Sequence, residues 1–430
     1  RRCRGTGAPT ARAGEVPRMP GGRRDSSFRV LNAKDQDESE GSEEETEDHR
    51  SCLQKDLAGL RAVLVKPLNL LLVFFPLGLV AGYQGWGDTA IFWLNFAALV
   101  PIAGIMGAAT EAVAAHTGDL LGGLLNATFG NAIEMIVTWQ ALHKAAVGPD
   151  LDMIKVVQGS LLGSVLSNLL LVLGTAFLVG GFWFKEQGFN LKGAQSNVSC
   201  LLLSSIALML PTMYSFASEV DEHNVLQASR MSAIVLTSMY VLFLVFQLKT
   251  HVHLFTGQDL EEDEEPELSF GGSLAVLALV VVAAVLSSQL LVDALQGMSV
   301  EVGVPKTFVG VVLLPIVGNA VEHTTAVTAA AKDKMDLAIG IAVGSSTQIA
   351  LFVVPFSVLL AWAMDVPMTL DFHVFNAGVM VMSVLIVSAV ISDGFSNWLE
   401  GAMLVAVYIL CSVIFFMTPD PPENSLRLEL

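Results

Sequence analysis

Apolar runs of about twenty residues recur along most of this chain, and they restrict its fold more than any other feature. A helix of that length crosses the hydrocarbon core of a bilayer, because its backbone polar groups are satisfied internally. Eleven such runs can be counted, at about 67–83, 89–115, 119–142, 156–184, 197–217, 230–249, 270–296, 304–330, 336–363, 373–393 and 398–418. The expectation is an all-α polytopic membrane protein with about eleven transmembrane helices, solvated by a lipid bilayer. Composition agrees. Hydrophobic residues make up 53% of the 430, mean hydropathy is +0.61 and only 15% are charged, against about 25% charged in a typical soluble protein.

The net charge of −18 is concentrated in blocks. "DQDESEGSEEETEDH" at 35–49 and "DLEEDEEPE" at 259–267 carry much of it. Residues 1–56 cannot bury enough apolar surface to fold alone and are expected to be a disordered acidic tail. The chain does not begin with Met, and Met19 is a candidate start. The first apolar run comes too late for an ordinary secretory signal. Cys3, Cys52, Cys200 and Cys411 show no metal-binding spacing and no disulfide framework. No nucleic acid is expected as a partner. Nothing in the sequence decides between a monomer and a homodimer.

The acidic block divides the long apolar part in two. One run comes first, then five runs, then the linker at 250–269, then five more. The first helix, within 57–88, is expected to be peripheral. The repeats would span 89–249 and 270–418, with a C-terminal tail at 419–430. The halves match locally. "GNAIEMIV" at 130–137 compares with "GNAVEHTT" at 318–325, and Gly159/Gly163/Ser164 with Gly340/Gly344/Ser345. "ATEA" at 109–112 loosely matches "LVDA" at 291–294. An odd number of spans per repeat makes the halves face opposite ways. Inverted repeats of this kind in transporters meet near the bilayer midplane, where the substrate binds. Lys and Arg in the short loops place the N-terminus and linker in the cytosol.

A glutamate at mid-membrane is costly and is by default a functional residue. Asn131 and Glu134 are three residues apart and share a helix face, as do Asn319 and Glu322. Pro315 in "LLPIVGNAVE" can kink its helix and free carbonyls. Ser164, Ser167 and Asn168 add oxygens near one face of a second helix, and Ser345 with Gln348 do so in the other half. Carboxylate, amide, hydroxyl and carbonyl oxygens suit a hard cation such as Ca²⁺, which takes about six to eight of them. Two carboxylates neutralise one divalent ion. In a dry site they hold either a cation or protons, because the empty charged state is expensive. Such a site exchanges one for the other. The alternatives are structural. A buried Glu can bond a neighbouring helix, and a helical Ser often bonds its own backbone. His323 either relays protons or packs at a helix interface. Glu111 and Asp293 either serve the ion path or face water at helix ends. Glu301 reads as a loop residue.

These segments resemble the calcium/proton exchanger (CAX) family of the cation/calcium exchanger superfamily. "LLNATFGNAIEMIV" at 124–137, "LLPIVGNAVEHTTAV" at 313–327 and "VGSSTQIALFVVP" at 343–355 carry the likeness, which covers about 57–418. The resemblance implies that Glu134 and Glu322 alternately bind Ca²⁺ and protons, with Asn131 and Asn319 in support. Ser164, Ser167, Ser345 and Gln348 would complete the ion site. Glu111 and His323 remain candidates for proton coupling. The runs at 89–115 and 270–296 would be the gating helices. It further implies a vacuolar or other acidic-organelle membrane, Ca²⁺ and protons as cargo, no cofactor and no enzymatic activity. A Mn²⁺ or broad divalent cation/proton exchanger fits the same oxygens. A Na⁺/Ca²⁺ exchanger would usually carry an acidic residue where "GSSTQ" has Gln348. An intramembrane protease would need paired aspartates or a Ser/His elbow, and none stands out. A channel would not need matched carboxylates in two inverted halves.

Overall fold

Long helices make up nearly all of the computed structural model, which describes residues 56–57, 59–61, 64–117, 119–148, 152–217, 220–255 and 268–419. The expected tail at 1–56, apart from Asp56, the acidic stretch of the linker at 256–267, and residues 420–430 lie outside the described residues. In chain order the helices are α1 (Pro67–Gln84), α2 (Asp88–Thr117), α3 (Asp119–Phe129), α4 (Ala132–Val147), α5 (Asp152–Trp183), α6 (Leu191–Ser215) and α7 (Glu222–Thr250). There follow α8 (Phe270–Val302), α9 (Lys306–Gly318), α10 (Ala320–Ala331), α11 (Met335–Ala363), α12 (Val374–Asp393) and α13 (Trp398–Met417).

Nine of the described helices are long and apolar enough to cross a membrane, or ten if α9 and α10, bent by 56° against each other, form one span. The expected run at 119–142 is two helices, α3 and α4, parted at Gly130 and Asn131.

Local chemistry sets the helix ends. Gly85 and Gly303 take left-handed conformations (φ 67° and 71°) after α1 and α8, a cap that costs glycine nothing. Asn397 opens α13 by accepting from the Leu399 and Glu400 amides, and Glu400 reaches back to the Asn397 amide.

The middle of the molecule belongs to α5 and α11, whose apolar stretches are mostly buried, whereas that of α1 is mostly uncovered and lies at the edge. Helix α5 packs against α4, α9, α10, α11 and α13, and α2 lies along α8. Close approach needs small residues. A Cβ on Gly163 of α5 would run into the Val311 carbonyl of α9. Pro315 has no N–H to offer that carbonyl, so the proline and the glycine act together at this crossing. Both central helices also widen by one residue per turn, at Ser167–Val172 in α5 and at Ile349–Val353 in α11. Such π-helical turns cluster at functional sites.

Two faces can be told apart. On the linker face, β1 (Gln187–Gly188) pairs with β2 (Phe395–Ser396). There Gln187 Nε2 donates to Ala330 O at 2.9 Å and to Asp333 Oδ1 at 2.8 Å. On the opposite face Lys306 Nζ meets Asp152 Oδ2 at 2.9 Å, and Gln158 Nε2 donates to Thr369 O at 2.8 Å. Glu301 lies on this second face. It is in the last turns of α8 rather than in a loop, and its Oε2 accepts from Thr89 Oγ1 at 2.6 Å.

Candidate functional site

The two GNA-x-E elements break their helices in the same way. Asn131 (φ −110°, ψ 23°) and Asn319 (φ −93°, ψ 14°) leave the helical conformation at matching places and precede α4 and α10. The bend at Asn319 follows Pro315 by one turn, and the Asn319 amide still donates to Pro315 O at 2.9 Å. Each glutamate thus falls in the first turn of a half-helix. The positive end of that half-helix favours negative charge, so the breaks make a place for carboxylates inside an apolar protein.

The arms meet. The Glu134 carboxylate lies against Gly318 so closely that a Cβ there would collide with Oε1. Glu134 and Glu322 are electrostatic neighbours. Glu134 is 6% exposed, and Glu322 is half-buried. A small cavity beside Glu134 is lined by Ser160 and Ser164 of α5, Gly318 of α9, and apolar residues that include Leu99 of α2 and Leu291 of α8.

Three hydrogen bonds join the halves around this pair. Asn131 Nδ2 donates to Gln348 Oε1 at 2.9 Å, Asn168 Nδ2 to Ser345 Oγ at 3.0 Å, and Asn319 Nδ2 to the Ser164 carbonyl at 3.1 Å. Each asparagine spends its amide nitrogen on the opposite half. For Asn168 and Asn319 the amide oxygen is left over. Those two oxygens and the Ser164 hydroxyl are buried with no hydrogen-bond partner among the described residues. Buried polar atoms are otherwise almost always paired, and an unpaired one costs about 1–3 kcal/mol. Ser164 and Asn168 are on α5 and Asn319 is at the break before α10, and hydroxyl, amide and carboxylate oxygens are the kinds of donor a hard cation takes. Among the described residues no three His, Cys, Asp or Glu come together as a metal cluster.

The structure gathers Glu134, Glu322, Asn131, Asn319, Ser164, Ser345 and Gln348. Ser167 is buried on the wide turn of α5, next to the Tyr408 hydroxyl of α13. His323 Nε2 lies 3.0 Å from Thr175 Oγ1 of α5. That hydroxyl donates to Leu171 O at 2.6 Å, so it accepts from His323. Glu111 is exposed near the end of α2, in the field of Lys66, and no contact among the described residues joins it to the pair. Sequence reasoning counted Asn168 among the oxygens near one face of this helix, and the structure bonds its Nδ2 to Ser345 of the other half. The same reasoning passed over Ser160, whose signal was a position one turn before Ser164.

The chain as a whole is similar to known proteins. The sodium/calcium exchanger protein family profile matches residues 88–249 and 272–417. The "Vacuolar calcium ion transporter" of Schizosaccharomyces pombe is 40% identical over 383 residues, covering 87% of this chain and 91% of that protein. The "Ca(2+)/H(+) antiporter" of Synechocystis is 42% identical over 367 residues, covering 81% and 97%. The solved structure of native YfkE superposes with a TM-score of 0.70 at 33% identity, covering 82% of this chain and all of that one. On these matches, this chain belongs to the sodium/calcium exchanger protein family.

Proposed function

We propose that this chain is a proton-coupled Ca²⁺ antiporter that moves Ca²⁺ out of the cytosol into an acidic compartment, in the vacuolar membrane. The names of its relatives support this reading. The observation that carries it is the meeting of Glu134 and Glu322 at two matched helix breaks, with Ser164 lining the cavity beside Glu134.

In the proposed cycle the two carboxylates face the cytosol charged and take up one Ca²⁺. The ion is matched in charge and coordinated by Asn168 Oδ1, Asn319 Oδ1 and Ser164 Oγ. Access then changes to the acidic side, where protons displace the ion. The protonated pair is neutral and returns. The empty charged pair stays behind, because two like charges in a dry site repel and are poorly solvated. That penalty is what couples the fluxes. Asn131 is held in place by Gln348 rather than by a second acid, so the site offers no carboxylate for Na⁺ at that position. Leu99 and Leu291 exclude water beside Glu134.

The test uses membrane vesicles with wild type, Glu134→Gln and Glu322→Gln. An inside-acid gradient is imposed and radioactive Ca²⁺ uptake is followed with and without a protonophore. Uptake should collapse with the protonophore and in both variants. Uptake that ignores pH but follows a Na⁺ gradient would overturn the proton coupling. Mn²⁺ uptake without Ca²⁺ uptake would keep the mechanism and change the cargo.

A further inference from the structure

The inverted halves carry a second matched set of charges away from the ion site. Lys144 and Lys332 each follow the glutamate of their arm by ten residues. Glu111 and Asp293 occupy matching positions in α2 and α8. An inverted repeat therefore makes two equivalent pairings, one on each face: Lys144 of α4 with Asp293 of α8, and Lys332 of α10 with Glu111 of α2.

One pairing is made and the other is not. Lys144 Nζ lies 3.6 Å from Asp293 Oδ1 and donates to the Val292 and Asp293 carbonyls at 3.1 and 3.3 Å. One turn earlier Gln140 Nε2 reaches Val285 O of the same helix at 3.5 Å. The arm α4 is thus fastened to α8. On the linker face Lys332 and Glu111 are both exposed and neither is in an ion pair among the described residues. Glu111 faces Lys66 instead. The two pairings stand at matching places in the repeats, so the made pair and the unmade pair are candidates for the same device on opposite faces.

We propose that the four residues are two alternating latches, Lys144–Asp293 closing the face that carries the Lys306–Asp152 pair and Lys332–Glu111 closing the linker face when the first opens. The proposal rests on the antiporter reading, which requires access to alternate. Partly exposed ion pairs are weak by themselves, and weakness suits a contact that has to break in every cycle. The carbonyl contacts of Lys144 give the latch geometry as well as charge.

The test uses the full chain with Cys3, Cys52, Cys200 and Cys411 replaced by Ser, reconstituted in liposomes. Two double variants are made, Lys144→Cys with Asp293→Cys, and Glu111→Cys with Lys332→Cys. Each is treated with a cleavable bifunctional thiol reagent whose reach matches the ion pair, in Ca²⁺ at neutral pH and in acid without Ca²⁺. Both pairs should cross-link, in opposite proportions as conditions change. Either link should abolish Ca²⁺/H⁺ exchange, and cleavage should restore it. A Glu111–Lys332 pair that never links while exchange runs would overturn the proposal, as would exchange that continues through either link. Charge reversal gives a second readout. Lys144→Asp should slow exchange, and Asp293→Lys added to it should recover the rate; no recovery would count against the latch. If the unlinked parent protein shows no exchange at all, the antiporter reading fails rather than the latch.

Discussion

The two site arms are alike in sequence and unlike in surroundings. After Glu134, α4 buries Thr138 and Gln140. After Glu322, α10 leaves Thr324, Thr325 and Thr328 exposed. Gln140 and Lys144 are bound to α8, whereas the positions that match them, Thr328 and Lys332, face outward. The difference shows that matched glutamates sit at the head of half-helices whose later turns are covered differently. The first arm is seen packed and the second open toward the linker face.

The strongest way to break the comparison is to remove one carboxylate at a time. Glu134→Gln and Glu322→Gln should each abolish proton-coupled Ca²⁺ uptake, although one side chain is buried and the other half-buried. An amide can neither balance a divalent charge nor carry a transported proton. A variant that kept half the wild-type uptake would mean that only one arm binds the ion.

The glycines before the asparagines test the arms more finely. A Cβ at Gly318 meets the Glu134 carboxylate across the site, whereas a Cβ at Gly130 meets the Asn126 carbonyl of its own arm. Overpacking costs about 1–3 kcal/mol, and at about 1.4 kcal/mol per decade Gly318→Ala should weaken Ca²⁺ uptake affinity roughly 5- to 150-fold. Gly130→Ala should appear instead as lost thermal stability, with affinity less changed. Equal affinity losses in vesicle assays would show that the close approach at Gly318 is not special.

Much of this was legible before the fold was known, for physical reasons. Glu134 and Glu322 stand out because charge in apolar sequence is expensive, and their duplication could be read directly. Helix break and ligand orientation were not legible. Pro315 suggested a kink, but the chain turns at Asn319, because the glutamate opposite needs Gly318 and a half-helix N-terminus. Ser167 looked equivalent to Ser164, and only the widened turn of α5 sets it beside Tyr408. Glu301 looked like a loop because α8 runs several residues past its apolar part. Asn168 could be read only as one more oxygen near that face, because an amide can point either end at the site. Its direction is fixed by Ser345, a residue of the other half.

Asn168 therefore supplies the next test. Its Oδ1 is buried, unpaired, and held in place by the bond from Nδ2 to Ser345. The matching position in the second half is apolar, so this donor breaks the symmetry of the site. Asn168→Ala should weaken Ca²⁺ affinity roughly 10- to 100-fold, the range usual for groups that support a metal site. Asn168→Asp should give a different result, since it adds a third acid to a site balanced for two. Uptake should then fall less steeply with Ca²⁺ and become more sensitive to acid on the cytosolic side, where protons compete. Wild-type affinity in the Ala variant, measured by uptake across a Ca²⁺ series, would remove Asn168 from the ion site.

The smallest expected effect separates the two asparagines that sit in the helix breaks. Asn319 is oriented by a backbone carbonyl, that of Ser164, which no side-chain substitution removes. Asn131 is oriented by the Gln348 side chain, which can be removed. Gln348→Leu keeps the volume close to native and deletes the acceptor, so it should loosen Asn131 and lower Ca²⁺ affinity about tenfold, the low end for a supporting group. Ser164→Ala keeps the carbonyl that holds Asn319 and deletes only a hydroxyl, so any loss there measures Ser164 Oγ as a ligand in its own right. Glu at position 348 would turn the acceptor into a third carboxylate, and Na⁺-dependent Ca²⁺ uptake in Gln348→Glu vesicles would show that this one position selects the counter-ion. If Gln348→Leu has the affinity of wild type, the Asn131 contact is packing, and the first arm contributes its glutamate alone.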